Sequence, residues 1–131
     1  MGDAELKTTR ILGINFVTSG YASVRAALDE GALLVIPSGP GLASIDRDDA
    51  YRQAVQGADI ALFDSAWFVL LCRLFRVGWY QRYSGYAFVR DLLADDRLAD
   101  KHLLLVDPTP EDAEINAAYI RERHPTITLT S

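Results

Sequence analysis

Asp64 closes an apolar run, Ile60-Ala61-Leu62-Phe63, and is followed at once by Ser65 and a second apolar stretch. A carboxylate held among apolar neighbours at a strand end can take a proton from a hydroxyl. The competing reading is purely local, because Asp and Ser are preferred helix caps and a helix starts near Ala66. Further along, Arg82 introduces Arg82-Tyr83-Ser84-Gly85. A guanidinium suits the paired oxygens of a diphosphate, although surface arginines are common. Ser38-Gly39-Pro40-Gly41 precedes a helix and offers backbone amides to a phosphate. Its spacing matches neither the P-loop nor the dinucleotide fingerprint, and a plain loop explains it as well.

Other chemistry is sparse. His102 and His124 each lack a partner at ligand spacing, Cys72 is the one cysteine, and no Gly-x-Ser-x-Gly elbow occurs. No metal site and no cofactor are expected. Asp46, Asp48 and Asp49 gather where a helix should begin, and the helix dipole accounts for them. Arg73 and Arg76 lie three apart in the apolar segment after Asp64. They read either as the solvated stripe of a core helix that buries Leu70, Leu71, Leu74 and Phe75, or as the edge of an apolar patch suited to anionic lipid headgroups.

The elements that must position these residues alternate. Apolar runs at 11–16, 33–37, 60–63, 103–106 and 127–130 read as strands, several without the polar alternation of a half-exposed sheet. Helical patterns fall at 21–30, 46–56, 66–76, 86–95 and 110–123. Ser19 stands before the first helix and Gly31 after it, while Thr109-Pro110-Glu111-Asp112 opens the last. The pattern predicts an α/β, Rossmann-like layered fold: about five strands in a mostly parallel sheet, alternating with helices, over residues 1–131 as a single domain. Ligands of such a sheet bind beyond the carboxyl ends of its strands, where Thr18-Ser19-Gly20, Ser38-Gly39, Asp64-Ser65 and Asp107-Pro108-Thr109 lie.

Composition narrows the function classes. The chain has 131 residues, half of them apolar, and a net charge of -5, which disfavours a nucleic-acid surface. The first ten residues lack the apolar core of a signal peptide, and arginines and Gly78 interrupt the longest apolar run before it reaches membrane-spanning length.

Taken in order, Leu34-Val35-Ile36-Pro37-Ser38, Tyr51-Arg52-Gln53-Ala54, Ala58-Asp59 through Asp64-Ser65, and Arg82-Tyr83-Ser84-Gly85 with Phe88 and Leu92-Leu93 resemble the WecG/TagA/CpsF glycosyltransferases, glycosyltransferase family 26. The tail, with Leu103 to Asp107 and Arg123-His124-Pro125, resembles the next strand-helix-strand unit of that family. The resemblance implies transfer of an N-acetylhexosamine-type sugar from a UDP-sugar donor to a polyprenyl-diphosphate-linked acceptor. It implies inversion at the anomeric carbon without a bound metal, in cell-surface polysaccharide synthesis such as that of teichoic acid or exopolysaccharide. It further implies a cytoplasmic protein at the inner face of the membrane, in peripheral contact with it, and self-association. On this reading Asp64 is the general base, and Ser38, Gly39, Ser65, Arg82 and Ser84 contact substrate.

The sequence also departs from the family pattern. Pro37-Ser38-Gly39-Pro40 stands where members tend to read Thr-x-Asn-Pro, Gln81 replaces a Glu, Ala87 an Asp, and Asp64-Ser65 an Asp-Gly. The resemblance implies that the chain covers roughly the first two-thirds of a typical member and ends before the later Gly-x-Pro-x-Gln-Glu region. The alternative expectation is therefore a non-catalytic module of the same fold that binds a sugar nucleotide or lipid headgroup.

Overall fold

The computed structural model describes residues 5–131, which form two compact units divided after Phe88. The first holds a four-stranded mixed sheet in the order β1-β2-β4-β3. Strands β1 (Thr8–Ile11) and β2 (Ile14–Val17) form an antiparallel hairpin with Ile11 opposite Ile14. Strands β3 (Leu34–Val35) and β4 (Ile60–Ala61) run parallel to each other, and β4 runs parallel to β2. The helices are α1 (Tyr21–Asp29), α2 (Gly39–Ala43), α3 (Asp49–Gly57) and α4 (Ala66–Leu74), and α5 (Gly85–Leu93) carries the chain into the second unit. There β5 (His102–Leu104) and β6 (Thr128–Thr130) pair in parallel, joined through α6 (Pro110–Arg123). Leu98, Ile120 and Ile127 form that unit's small core.

The expected five-stranded, mostly parallel sheet is thus corrected to a mixed four-stranded sheet and a separate parallel pair. Part of the difference lies at residues 11–16, which fold back at Leu12-Gly13 instead of forming one strand. Both turn residues have positive φ, +54° and +75°, as a two-residue type I′ hairpin requires. Gln56 Nε2 donates to the Leu12 carbonyl at 2.9 Å, and a Cβ on Gly13 would stand 2.7 Å from that same nitrogen.

Local signals account for most helix ends. Asp48 accepts from the Tyr51 amide and Thr109 from the Asp112 amide, both as N-caps. Gly31, at φ +90°, ends α1 in a Schellman motif, with the Gly31 amide on the Leu28 carbonyl and the Ala32 amide on that of Ala27. Ser19 is not the cap expected of it. Gly20 holds that position, and Ser19 Oγ instead meets the Lys7 amide at 3.0 Å and Ser23 Oγ at 2.6 Å. Helix α4 also ends in a Schellman motif, with Arg76 in the left-handed position at φ +57° and the Val77 amide on the Cys72 carbonyl.

The core of the first unit gathers Ile14, Phe16, Leu42, Val55, Ala61 and Phe63. The four residues 60–63 are all buried, as their unbroken apolar pattern predicts. Phe63 lies stacked between Phe16, with ring centroids 4.5 Å apart, and Tyr80, at 4.7 Å. Phe68 closes on Phe16 at 5.2 Å. Cys72 is buried beneath α4, and that burial pushes its thiol pKa up.

Leucine pays a steric cost at positive φ that asparagine largely escapes. Leu12→Asn should therefore raise unfolding stability by about 1 kcal/mol, read as a higher urea midpoint at unchanged slope, and Gly13→Ala should lower it.

Candidate functional site

Two residues past β4 the chain leaves the core, and Asp64 stands half-buried at the sheet's carboxyl edge. The segment from Tyr80 to Gly85 returns to this edge and is tied to it at successive points. The Tyr83 amide donates to the Phe63 carbonyl at 3.0 Å, Arg82 Nε to the Asp64 carbonyl at 2.6 Å, and the Gly85 amide to Asp64 Oδ1 at 2.8 Å. A Cβ on Gly85 would stand 3.0 Å from Ile36 Cγ2, so glycine is what permits this close approach. The two motifs, Asp-Ser and Arg-x-Ser-Gly, are thereby brought together although 18 to 21 residues separate the bonded atoms.

The two readings of Asp64 and Ser65 separate cleanly. Ser65 is the N-cap of α4, accepting from the Phe68 amide at 3.2 Å. Asp64 does not cap α4; its Oδ1 holds the first turn of α5 instead, and its Oδ2 has no hydrogen-bond partner among the described residues. Arg82 is exposed, and beyond its Nε bond its two terminal nitrogens make no hydrogen bond or ion pair among the described residues.

The remaining serines expected at the site, Ser84 and Ser38, are helix caps as well. Ser84 accepts from the Ala87 amide at 3.1 Å, and Ser38 from the Gly41 amide at 3.2 Å. The stretch 38–41, read either as a phosphate-binding segment before a helix or as a plain loop, itself opens the short helix α2, with Pro40 in its first turn. Gly39 lies so near α4 that a Cβ there would stand 2.9 Å from Ser65 Oγ. Ser38, Gly39, Asp64, Ser65, Arg82 and Ser84 all lie in the first unit. Direct contacts join Gly39 to Ser65, and Asp64 to Arg82 and Gly85. Helix α4 begins two residues after Asp64 and α5 at its bonded partner Gly85, so two positive helix ends flank the carboxylate.

The sequence offered an apolar patch on the helix after Asp64; what it did not show is the part that α2 plays beside it. An apolar groove of about 530 Å³ begins at Gly39 and Ser65 and continues past Pro40, Leu42, Trp67 and Leu71. Pro40 and Trp67 were visible signals, but nothing in their spacing shows that α2 and α4 lie side by side. A separate polar hollow of about 420 Å³ lies at the end of β2, around Lys7, Ser19 and Tyr21, and shares no lining residue with the groove. Among the described residues no group of three or more His, Cys, Asp or Glu side chains gathers as a metal site would need.

The WecG/TagA/CpsF glycosyl transferase family model matches residues 9–131, nearly the whole chain. The chain belongs to that family. No curated protein gives a significant match to it. Membership in the WecG/TagA/CpsF family makes this a glycosyltransferase-type protein, whose substrates in general terms are a sugar donor and an acceptor. No helix among the described residues is long and apolar enough to cross a membrane.

The Asp64–Gly85 bond yields a stability prediction that does not depend on catalysis. An asparagine retains an acceptor for the Gly85 amide, whereas alanine leaves that half-buried donor unpaired. Asp64→Asn should stay within about 0.5 kcal/mol of the parent and Asp64→Ala should lose about 1–2 kcal/mol, as measured by denaturant unfolding.

Proposed function

We propose that this chain transfers an N-acetylhexosamine-type sugar from a UDP-sugar to the hydroxyl of a polyprenyl-diphosphate-linked acceptor, with Asp64 as the base. The observation that carries this reading is the division of labour at the strand edge. Asp64 is oriented through Oδ1 and the Arg82 guanidinium is anchored beside it through Nε, while Oδ2 and both terminal nitrogens have no partner among the described residues.

The chemistry follows from that arrangement. Oδ2 accepts the proton of the acceptor hydroxyl as its oxygen closes on the anomeric carbon. The bond from that carbon to the donor's diphosphate breaks on the opposite face, so a single displacement inverts the centre. The departing UDP carries the developing negative charge. Arg82, aided by the positive N-termini of α4 and α5, offsets that charge without a metal. Ser65 and Ser84 each use an oxygen lone pair to cap a helix, which leaves the hydroxyl hydrogen free to bond a phosphate or sugar oxygen. Ser38 is equipped in the same way, and Gly39 sets the backbone close to Ser65. The groove leading from Ser65 supports an isoprenoid-linked acceptor, since apolar side chains line nearly all of it. The proposed setting is the inner face of the cytoplasmic membrane.

Transfer is measured by UDP release with a lipid-diphosphate sugar acceptor. Asp64→Asn should lower kcat by at least ~100-fold while donor affinity holds. Arg82→Ala should weaken both donor binding and turnover. UDP-sugar binding without turnover, unchanged in Asp64→Asn, would instead make the chain a sugar-nucleotide-binding module.

A further inference from the structure

Helix α4 is apolar on both sides, and among the described residues only one side has a partner. Phe68, Val69 and Cys72 face the core. Trp67, Leu70, Leu71 and Leu74 follow the i, i+3, i+4, i+7 spacing of one helical face, and that face is open. Trp67 is 73% exposed and Leu74 69%; beyond the helix, Phe75 is 72% and Trp79 76% exposed. A stripe of this kind is the reverse of what a solvated surface helix presents, and contiguous exposed apolar surface marks an interaction site. Nor do the arginines dilute it. Arg73 lies over the Trp79 ring at 3.7 Å, and together with Arg76 and Leu74 these residues border a hollow of about 500 Å³.

Charge identifies the occupant. The chain as a whole carries -5, with 18 acidic residues, yet between Asp64 and Asp91 there is no Asp or Glu. That interval holds Arg73, Arg76, Arg82 and Arg90 and both tryptophans of the chain. A locally cationic, tryptophan-bearing apolar face on an otherwise acidic protein complements an anionic lipid surface, where leucines enter the acyl boundary, indole rings sit at headgroup level and guanidinium groups meet phosphate. A symmetric contact of this face with a second copy would set one cationic surface against another, with no acidic residue of this segment to neutralise either. We propose that α4 and the Phe75–Trp79 turn form a docking surface for the anionic phospholipid face of a bilayer. This binding needs neither sugar donor nor acceptor, so it stands or falls apart from the transfer reaction.

Because Trp67 and Trp79 are the only tryptophans, intrinsic fluorescence of the full chain reads this surface directly. Vesicles of phosphatidylglycerol and phosphatidylcholine should shift the emission to the blue, shield it from acrylamide, and lose this effect in high salt. Pure phosphatidylcholine vesicles should do much less. Leu70→Glu with Leu74→Glu alters only exposed positions, keeps both reporters, and should lower vesicle affinity by at least ~10-fold. Arg76→Gln should lower it by roughly 5-fold on anionic vesicles alone. An unshifted spectrum at millimolar anionic lipid would overturn the proposal. So would a blue shift that arises without lipid as protein concentration rises, which would assign the face to a second copy.

Discussion

The stacking of Phe63 between Phe16 and Tyr80 is the constraint on which the site depends. Phe63 anchors the end of the β4 run in the core, so the next residue, Asp64, has to emerge at the sheet's edge. Tyr80 anchors the returning chain against the same ring, so the residues after it arrive beside that edge. The bonds from Tyr83, Arg82 and Gly85 then fix the register of the return. A buried aromatic stack of this kind supplies apolar area and a preferred ring geometry together. In the proposed reaction it acts only by position, since none of the three rings needs to touch a substrate.

Capping and chemistry are not exclusive at this edge. Ser38, Ser65 and Ser84 are each engaged in holding a helix, and each hydroxyl keeps a hydrogen to donate. Asp64 itself works in the same divided way, with one oxygen holding α5 and the other open. A group so anchored has little orientational freedom left to lose when a substrate arrives, which is the physical content of preorganisation. The same economy governs α4, whose inner face completes the core while its outer face is left for something else.

What the sequence made legible follows from the range of the interactions involved. Helix α6 matches its expected bounds because Thr109, Pro110, Glu111 and Asp112 are all local signals acting within one turn. Asp64 was placed at a strand end for the same reason, since the apolar run before it is continuous and short. The hairpin was missed because Leu12 occupies a turn position where asparagine is usual, leaving Gly13 as its one cue. Helix α2 was missed because Gly-Pro-Gly is a poor helix former, although Ser38 and Pro40 were present as start signals. The Gly85–Asp64 bond and the Phe63–Tyr80 stack join residues 21 and 17 apart in the chain, and no local pattern encodes such pairings. The open face of α4 was one of the two readings that the sequence offered. A helix apolar on all sides reads equally as core or as an interface, and only the packing of its neighbours decides which side is covered.

The central claim is that the strand edge around Asp64 and Arg82 is where the donor binds. Titrating the isotope-labelled chain with a UDP-N-acetylhexosamine, and following backbone amide shifts, tests it most directly. Saturable shifts should concentrate at Asp64, Ser65 and Arg82 to Gly85, with Ser38 and Gly39 beside them. Saturable shifts confined to the polar hollow around Ser19 and Tyr21, or no shifts at millimolar ligand, would contradict it.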